Sequence, residues 1–401
     1  MSHIKEHYDA YPYPARNPQD ERKRLITGSP SNPMEIDHHV FGGARDWNVP
    51  LQVLVAGGGS GDGLIQIAQI LTDAKRPYDI TYIDLSSSTR KIAEERASIR
   101  GLTNITFITG SLLDAPEYGL FDYIDCCGVL HHMPEPQAGF DALASALAPK
   151  GGLGFMVYAP YGRSGVYPLQ QAFGALSTGM TAQNRLAFGK AVFQRVPQNH
   201  EFKRNTLVGD HNDGDAGFYD LLLHSQDISC SVRDVVNYLE TAGLELANFT
   251  QPAMYSLKDL LPADFKQPEG LNRTAEMHLA EKLRGNMKTH MGYAVKAGAM
   301  VNIEPTKSSG IPHFIGEDPK KAEAFILQRG GLPVAINGQK LGLGMSPQAA
   351  RLLGAIDGKS TVGMLQKKSG LDLAEFNTAW TKLSDLLCGY GLMLYSGLRQ
   401  K

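Results

Sequence analysis

The sequence is poor in cysteine, in net charge and in long apolar runs, and each shortage excludes a class of protein. The four cysteines show no Cys-x-x-Cys spacing and are too few for a disulfide framework, so we expect a reducing, cytoplasmic location. A formal net charge of −2 gives no electrostatic reason to expect a nucleic-acid partner or an anionic membrane. No apolar segment is long enough to span a membrane, and the first residues lack the apolar region of a secretory signal.

The chain does have length and a normal apolar content. Its 401 residues predict two or three domains, and an apolar fraction of 42% is enough for each domain to bury a core. The charged fraction of 20% is ordinary for a globular protein. Length and composition are therefore those of a multidomain globular protein.

A glycine-rich stretch at residues 57–63, with the sequence GGGSGDG, is the most informative local pattern. It follows an apolar run from Leu51 to Ala56 and precedes a segment with apolar residues at helical spacing, which predicts a buried strand, a tight turn and a helix. Glycines permit positive φ and a close approach to a ligand, and the start of a helix offers unpaired N–H groups. Alone this signal is weak, because NAD, FAD and S-adenosylmethionine (SAM) enzymes all use such a turn.

Strands and helices are predicted to alternate from residue 51 to residue 158. The predicted strands cover residues 53–56, 80–84, 105–108, 121–127 and 154–158. Helices are predicted between them to about residue 72, over 86–100 and over 136–147. This alternation predicts an α/β fold with a doubly wound, Rossmann-like parallel sheet that binds its ligand at the carboxyl ends of the strands.

Asp84 ends the second predicted strand, roughly 20 residues beyond the glycines, where a carboxylate can accept hydrogen bonds from ribose hydroxyls. A helix-capping role is the alternative for Asp84, and NAD enzymes also place an acid at this point. Segments later in the chain discriminate better between NAD enzymes and enzymes that use other cofactors. They are TGSLLD after the third strand, FDYIDCCGVLHHM through the fourth, and LAPKGG before the fifth. A nicotinamide-binding fold does not predict this ordered set, so an NAD(P)-dependent oxidoreductase is the disfavoured alternative.

Residues 51–158 resemble the class I SAM-dependent methyltransferases, especially the branch with a Leu-His-His tail after the fourth strand. The resemblance rests on five segments in order, namely GGGSG, IDLS, TGSLLD, FDYIDCCGVLHHM and LAPKGG. It implies SAM as the cofactor and methyl transfer as the activity. It also assigns cofactor-binding residues by position. They are Gly57, Gly59 and Gly61 on the methionine part, Asp84 on the ribose, Leu85, Ser111 and Leu112 around the adenine, and Cys127 and Gly128 at the sulfonium.

Two positions depart from the usual pattern of this family. An acid usually stands two residues before the first glycine, but here that residue is Val55. The SAM ammonium would then be held by backbone carbonyls or by another acid, of which Asp62 is the nearest. The acid that usually follows the glycine after the third strand is replaced by Ser111, with Asp114 three residues later.

Residues 1–50 are rich in aromatic residues and proline before the first strand. Prolines between residues 12 and 18 prevent a continuous helix, so we expect an extended strap. Two roles are open for it, a surface arm packed on the core or a lid that excludes water from a bound ligand. The lid or substrate candidates are Tyr8, Tyr11, Tyr13 and Arg16.

The methyltransferase domain is predicted to span residues 51–303, with helical insertions at about 160–224 and 252–288. In this family such insertions commonly roof the substrate pocket. A linker from about residue 304 leads into a small C-terminal α+β domain, residues 304–401, which is similar to a winged-helix module. It would serve packing, homodimer formation or the docking of a peptide or protein substrate, since its lysines are too few to indicate DNA binding.

His131 and His132 follow the fourth strand and are the candidate catalytic residues. Methyl transfer from a sulfonium requires a positioned and desolvated nucleophile, and a nucleophile that carries a proton also needs a base, for which histidine is suited. A structural role for the pair is the alternative. His224 and Asp227 are weaker candidates, and His224 is also a candidate for a substrate contact. No metal site is expected.

Three functions therefore stay open after the sequence. The first is SAM-dependent methylation of a small or medium-sized acceptor. The second is methylation of a protein side chain such as lysine, with residues 304–401 as the docking domain. The third is a non-catalytic SAM-binding regulatory protein, which Val55 makes conceivable.

Overall fold

A seven-stranded, mostly parallel sheet forms the centre of the chain in our computed structural model, which describes residues 14–262, 264–265 and 268–399. Its strands are β1 (Leu51–Ala56), β2 (Tyr78–Asp84), β3 (Ile105–Thr109), β4 (Phe121–Cys127), β5 (Leu147–Tyr158), β6 (Leu244–Phe249) and β7 (Thr289–Lys296). Their order is β3-β2-β1-β4-β5-β7-β6, with β7 antiparallel to both of its neighbours. The predicted doubly wound α/β fold is confirmed. Its strand order reverses between the parallel strands β1 and β4, which is the topological switch point of the sheet.

Helices cover both faces of this sheet, because β1 is apolar on both of its faces. The helices around the first five strands are α1 (Pro33–Phe41), α2 (Asp62–Asp73), α3 (Ser87–Ile99) and α4 (Pro136–Ser145). Val53 and Val55 pack with Leu64 of α2 on one face, whereas Leu54 packs with Phe140 of α4 on the other. The hydroxyl of Ser86 accepts the N–H of Thr89 and caps the start of α3.

The N-terminal region is not extended throughout. A 3-10 helix covers Pro18–Arg22, and α1 also lies within residues 1–50, beyond the proline-rich residues for which an extended strap is predicted. The signals for α1 were present in the sequence. Asn32 caps its start, Pro33 occupies the first turn, and Gly42 ends it at a φ of 63°. The predicted lid candidates Tyr8, Tyr11 and Tyr13 lie outside the described residues.

Helices occur at both predicted insertions. After β5 the chain forms α5 (Val166–Leu176), α6 (Ala182–Arg195), α7 (Glu201–Arg204) and α8 (Gly214–Leu223), and then α9 (Val232–Thr241). Phe173, Phe202 and Phe218 belong to an apolar cluster within the first four of these helices. Between β6 and β7 lies α10 (Arg273–Arg284). None of the described helices has the length and apolar character needed to cross a membrane.

The C-terminal region is a small domain of helices and short strands, as predicted. Its elements are β8 (Pro312–Phe314), α11 (Pro319–Arg329), β9 (Gly331–Ile336), β10 (Gln339–Gly344), α12 (Pro347–Gly354), α13 (Val362–Ser369), α14 (Leu373–Gly389) and β11 (Met393–Tyr395). The final strand β11 pairs with β8, and β9 forms a hairpin with β10. Our sequence reading missed that hairpin, although its turn is an Asn-Gly pair, Asn337 and Gly338, and both residues have positive φ.

The C-terminal domain is joined to the central sheet through buried polar contacts. The buried carboxylate of Asp37 in α1 accepts the hydroxyl of Ser396 at 2.7 Å and the N–H of Gly397 at 2.9 Å. Leu394 and Leu398 complete the apolar cluster that contains α1 and β1. Residues 304–312 are also packed rather than a free linker, since the indole of Trp380 donates to the carbonyl of Pro305 at 2.9 Å.

Candidate functional site

A cavity of about 440 Å³ lies beside the glycine-rich turn, where the carboxyl ends of β1, β2 and β4 meet. Its lining includes every residue that the sequence assigned to a cofactor except Gly61. Gly61 instead precedes α2 at a φ of 96°, and a Cβ there would lie 2.9 Å from the Cβ of Ala93 in α3. The cavity stands at the point where ligands bind in open α/β sheets.

The first glycine of the turn cannot carry a side chain without a clash. Gly57 has a φ of 69°, and a Cβ there would lie 2.6 Å from a methyl carbon of Val129, which follows β4. Gly57 therefore lets β1 and the segment after β4 approach each other beside the cavity. This is a close approach that only glycine permits.

Strand β2 holds the next part of the turn from two sides. The N–H of Gly59 donates to Oδ2 of Asp84 at 2.8 Å, and the hydroxyl of Tyr82 donates to the carbonyl of Gly59. A side chain at Gly58 would collide with the Tyr82 ring, 2.3 Å from its Cε2. Our sequence reading missed Tyr82, although residues two apart on a strand share a face and Asp84 had been identified.

Asp84 has supporting contacts besides its place in the cavity lining. Its Oδ1 accepts the N–H of Ser86 at 2.8 Å and the hydroxyl of Thr89 at 3.1 Å, so it also supports the start of α3. The helix-capping alternative and the cofactor assignment are thus compatible. The ribose contact stays a prediction.

Ser111 and Asp114 form a capping box at the 3-10 helix Leu112–Tyr118. The Ser111 hydroxyl accepts the N–H of Leu113 at 3.2 Å, and the Asp114 carboxylate accepts the N–H of Ser111 at 3.3 Å. Asp114 therefore serves the local backbone, as the capping box predicts. Ser111 and Leu112 do line the cavity.

Asp62, the predicted candidate for a ligand ammonium, lines the cavity, but its carboxylate is already engaged by two guanidinium groups. Arg16 holds its carboxylate with both Nε, at 2.9 Å, and a terminal nitrogen, at 2.6 Å, and Arg96 adds a bond of 2.7 Å. Burial acts to raise the pKa of Asp62, but the two guanidinium groups outweigh burial and lower it. Arg16, a predicted lid or substrate residue, is thus engaged with α2 and does not line the cavity.

His131 and His132 have different surroundings. His132 lines the cavity, whereas His131 is fully buried outside the lining, with its ring 4.1 Å from that of His132 and 4.0 Å from that of Tyr158. Neither nitrogen of His131 has a hydrogen-bond partner in the described part of the chain. Its place in the cavity lining favours His132 over His131 as the catalytic candidate, and the catalytic role itself stays a prediction.

Contacts of His132 define which of its nitrogens is basic. Its Nδ1 lies 3.1 Å from the carbonyl of Gln226, and because a carbonyl only accepts, Nδ1 carries the hydrogen and Nε2 the lone pair. Burial lowers the pKa of His132, with an opposing contribution from the charge of Asp227. His132 is therefore neutral and able to accept a proton at neutral pH.

His224 supports this histidine from outside the cavity lining. Its ring stacks on that of His132 with centroids 4.0 Å apart, and its Nδ1 accepts the N–H of Gln226 at 3.0 Å. His224 therefore contacts both the ring of His132 and the residue whose carbonyl fixes the His132 tautomer. The substrate contact expected for His224 stays a prediction.

A group of potential metal ligands lies behind His132, but its contacts do not suit a cation. Ligand atoms of His131, His132 and Asp227 lie within 4.8 Å of one another. The Asp227 carboxylate, however, already accepts Gln170 Nε2 at 2.9 Å and lies 3.4 Å from the buried guanidinium of Arg163. That guanidinium would repel a metal ion, so the contacts of this cluster do not favour metal binding there.

Several lining residues were not anticipated from the sequence. Asp125 of β4 lines the cavity with an exposed fraction of 2%, and the hydroxyl of Ser31 donates to its carboxylate. At the His132 end the lining includes Tyr158 and Asp220. Residues 26–29, between the 3-10 helix and α1, also line the cavity, so the N-terminal region does border it. Whether that region opens and closes as a lid stays a prediction.

Comparisons with known proteins agree with this architecture. A family model described as "Methyltransferase domain" matches residues 54–153. An uncharacterised protein from Synechococcus sp. is 32% identical over 255 residues, which are 61% of this chain and 58% of that protein. A ubiquinone biosynthesis O-methyltransferase from Psychrobacter arcticus is 33% identical over 96 residues, which are 23% of this chain and 36% of the relative. The chain thus spans less than two thirds of the length of either relative.

One solved structure resembles nearly the whole chain. PKMT2 from Rickettsia typhi has a TM-score of 0.61 at 14% identity, and the match covers 93% of this chain and 76% of that one. Its complex with AdoHcy, the demethylated product of SAM, has a TM-score of 0.58 over the same share of this chain. At this identity the likeness shows a shared fold, which includes the region beyond the central sheet.

Proposed function

We propose that this chain binds SAM and methylates a small or medium-sized acceptor. The premise is that it carries a methyltransferase domain with the class I SAM-dependent fold. One observation carries the proposal. The glycine-rich turn, held through Gly59 to Asp84, and the neutral base His132 line the same cavity. A cofactor grip and a proton acceptor in one cavity are the two parts that such a reaction requires.

The cavity suits a SAM molecule in size and in lining. Its volume of about 440 Å³ lies in the usual range of about 300–1,000 Å³ for ligand pockets. Residues Gly57 and Gly59 would follow the methionine part, Asp84 the ribose, and Leu85, Ser111 and Leu112 the adenine. The AdoHcy complex of the Rickettsia typhi protein supports the assignment through the shared fold. When bound, SAM supplies a methyl group on a sulfonium, an electrophile with a neutral leaving group.

His132 would supply the proton transfer that an acceptor hydroxyl or ammonium needs. Its Nδ1–H is engaged with the Gln226 carbonyl, so its Nε2 is the nitrogen that takes the proton. Accepting a proton makes a cationic imidazole, which the nearby carboxylate of Asp227 would stabilise. The stacked ring of His224 keeps the imidazole in place.

The acceptor would enter at the end of the cavity that His132 shares with Met133, Met156, Tyr158 and Asp220. Two thioethers and a phenol ring favour an acceptor with apolar surface. An amine is the second candidate acceptor, including a lysine of a protein, because Asp220 adds a carboxylate to this lining and a carboxylate attracts an ammonium.

Label transfer from SAM tests the proposal and separates its alternatives. Extract of the source cells would be incubated with purified protein and SAM labelled in the methyl group, and then divided into protein and small-molecule fractions. We expect label in the small-molecule fraction with the wild-type protein, and far less with His132→Gln. Label in the protein fraction would instead favour the amine acceptor in a protein.

Binding measurements give the outcomes that would contradict the proposed function. If AdoHcy binds in calorimetry but label enters neither fraction, the chain is a SAM-binding regulatory protein. If neither SAM nor AdoHcy binds at millimolar concentration, the cofactor assignment itself is wrong. NADH serves as the negative control, since an oxidoreductase of similar topology would bind it.

A further inference from the structure

Strand β1 offers no acid to a ligand cation. The residue two positions before Gly57 is Val55, where related methyltransferases usually have a carboxylate, and its side chain is 2% exposed within an apolar cluster. Asp62, the next acid along the chain, is bound by Arg16 and Arg96. The α-ammonium of SAM would therefore lack an anionic partner from the turn itself.

The neighbouring strand places a carboxylate at the same level. Asp125 of β4 pairs with Val55 in the parallel register, so the two side chains project from the same face of the sheet. Asp125 lines the cavity, and in the described part of the chain the hydroxyl of Ser31 is the one group that bonds to its carboxylate. Burial raises the pKa of Asp125 to about 6, with a smaller opposing contribution from that hydrogen bond. A buried carboxylate with so few partners is stabilised by a cation.

Gly63 has no side chain and therefore leaves room beside the carboxylate of Asp125. Gly63 is the second residue of α2 and lines the cavity. A Cβ at that position would lie 3.1 Å from Oδ2 of Asp125 and 2.7 Å from the hydroxyl oxygen of Ser31. Glycine is not needed there for a positive φ, so its effect is to keep the space beside Asp125 clear.

We propose that Asp125, oriented by Ser31 and left accessible by Gly63, binds the α-ammonium of SAM in place of the acid that β1 lacks. This inference rests on the proposed function, because it assigns one end of the same cofactor. It makes Asp125 a specificity residue for the amino acid part of the ligand. The adenosine part does not depend on it.

Two ligands that differ in the amino acid part test the assignment. AdoHcy carries the α-ammonium, whereas 5′-methylthioadenosine keeps the adenosine and the sulfur but lacks it. Calorimetry with Asp125→Asn should show AdoHcy weakened by about 10- to 100-fold, the effect of losing a charge-assisted hydrogen bond, with 5′-methylthioadenosine within about twofold of wild type. Asp79→Asn is the matched control, since Asp79 is an exposed strand acid outside the cavity lining.

A second variant keeps the test decisive if Asp125→Asn does not fold. Gly63→Ala removes no polar group, and crowding beside Asp125 should weaken AdoHcy more than 5′-methylthioadenosine. Equal weakening of both ligands in a folded variant, or no weakening of either, would overturn the assignment of Asp125. Failure of the wild-type protein to bind either ligand would overturn the proposed function as well, so the two failures are distinguishable.

Discussion

Replacing Asp84 by asparagine should separate its two roles, loop support and ribose binding. In the wild type Oδ2 accepts the N–H of Gly59, and Oδ1 accepts the N–H of Ser86 and the hydroxyl of Thr89. The amide NH₂ of asparagine must replace one of these oxygens and then faces a backbone donor. One N–H loses its partner, which costs about 1–3 kcal/mol of folding free energy. The melting temperature of Asp84→Asn should therefore fall, although the variant should still fold.

A separate effect on ligand binding is expected if the ribose assignment is correct. Loss of a charge-assisted hydrogen bond of about 1.5–3 kcal/mol should raise the Kd for SAM by about 10- to 100-fold in calorimetry. Asp79→Asn makes the same chemical change on β2 at an exposed position whose partner is Gln52, and it should leave the Kd unchanged. A folded Asp84→Asn protein with the wild-type Kd for SAM would refute the placement of the ribose at Asp84.

Three further predictions concern catalysis and stability. His132→Gln should slow labelled methyl transfer by about 100- to 10,000-fold at unchanged SAM affinity. Because burial lowers the pKa of His132, the wild-type rate should persist as pH falls to about 6.5, the ordinary imidazole value. A loss of rate already above pH 7 would contradict the role of His132 as the base. Glu281→Ala should lower the free energy of unfolding, measured in urea, by about 3–5 kcal/mol, because it removes the partner of buried His290 at 2.9 Å. Glu240→Ala, at an exposed position, should lower it only slightly. Equal losses in the two variants would contradict a stabilising Glu281–His290 pair. Arg96→Met should leave Glu21 and Asp62 with fewer partners and so speed proteolysis of residues 14–31. An unchanged cleavage rate would contradict the ion pairs of Arg96 as the anchor of that segment.

Local chemistry explains what the sequence could predict. The apolar run, the glycines and the helical spacing of α2 act over a few residues, so the strand, turn and helix at residues 51–73 follow directly from them. The cap at Ser86 likewise depends only on residues close to it in sequence. The α1 helix and the β9–β10 hairpin also have local signals, Asn32-Pro33 and Asn337-Gly338, which our sequence reading did not use.

Contacts between distant segments explain what could not be predicted. Asp62 is close in sequence to the glycines and so was the natural ammonium candidate, but Arg16 and Arg96 reach it from distant parts of the chain and occupy its oxygens. Asp125 lies within the segment FDYIDCC, but nothing local in that segment indicates a ligand contact for it. Its place in the cavity follows from the register of β4 against β1, which only the folded sheet defines.

A crystal structure of the complex with AdoHcy tests the central claim most directly. We predict that the ribose hydroxyls lie within hydrogen-bond distance of Asp84, that the thioether lies between the glycine-rich turn and His132, and that the ammonium contacts Asp125. AdoHcy bound in another part of the chain, or bound in this cavity with its ribose away from Asp84, would contradict the account.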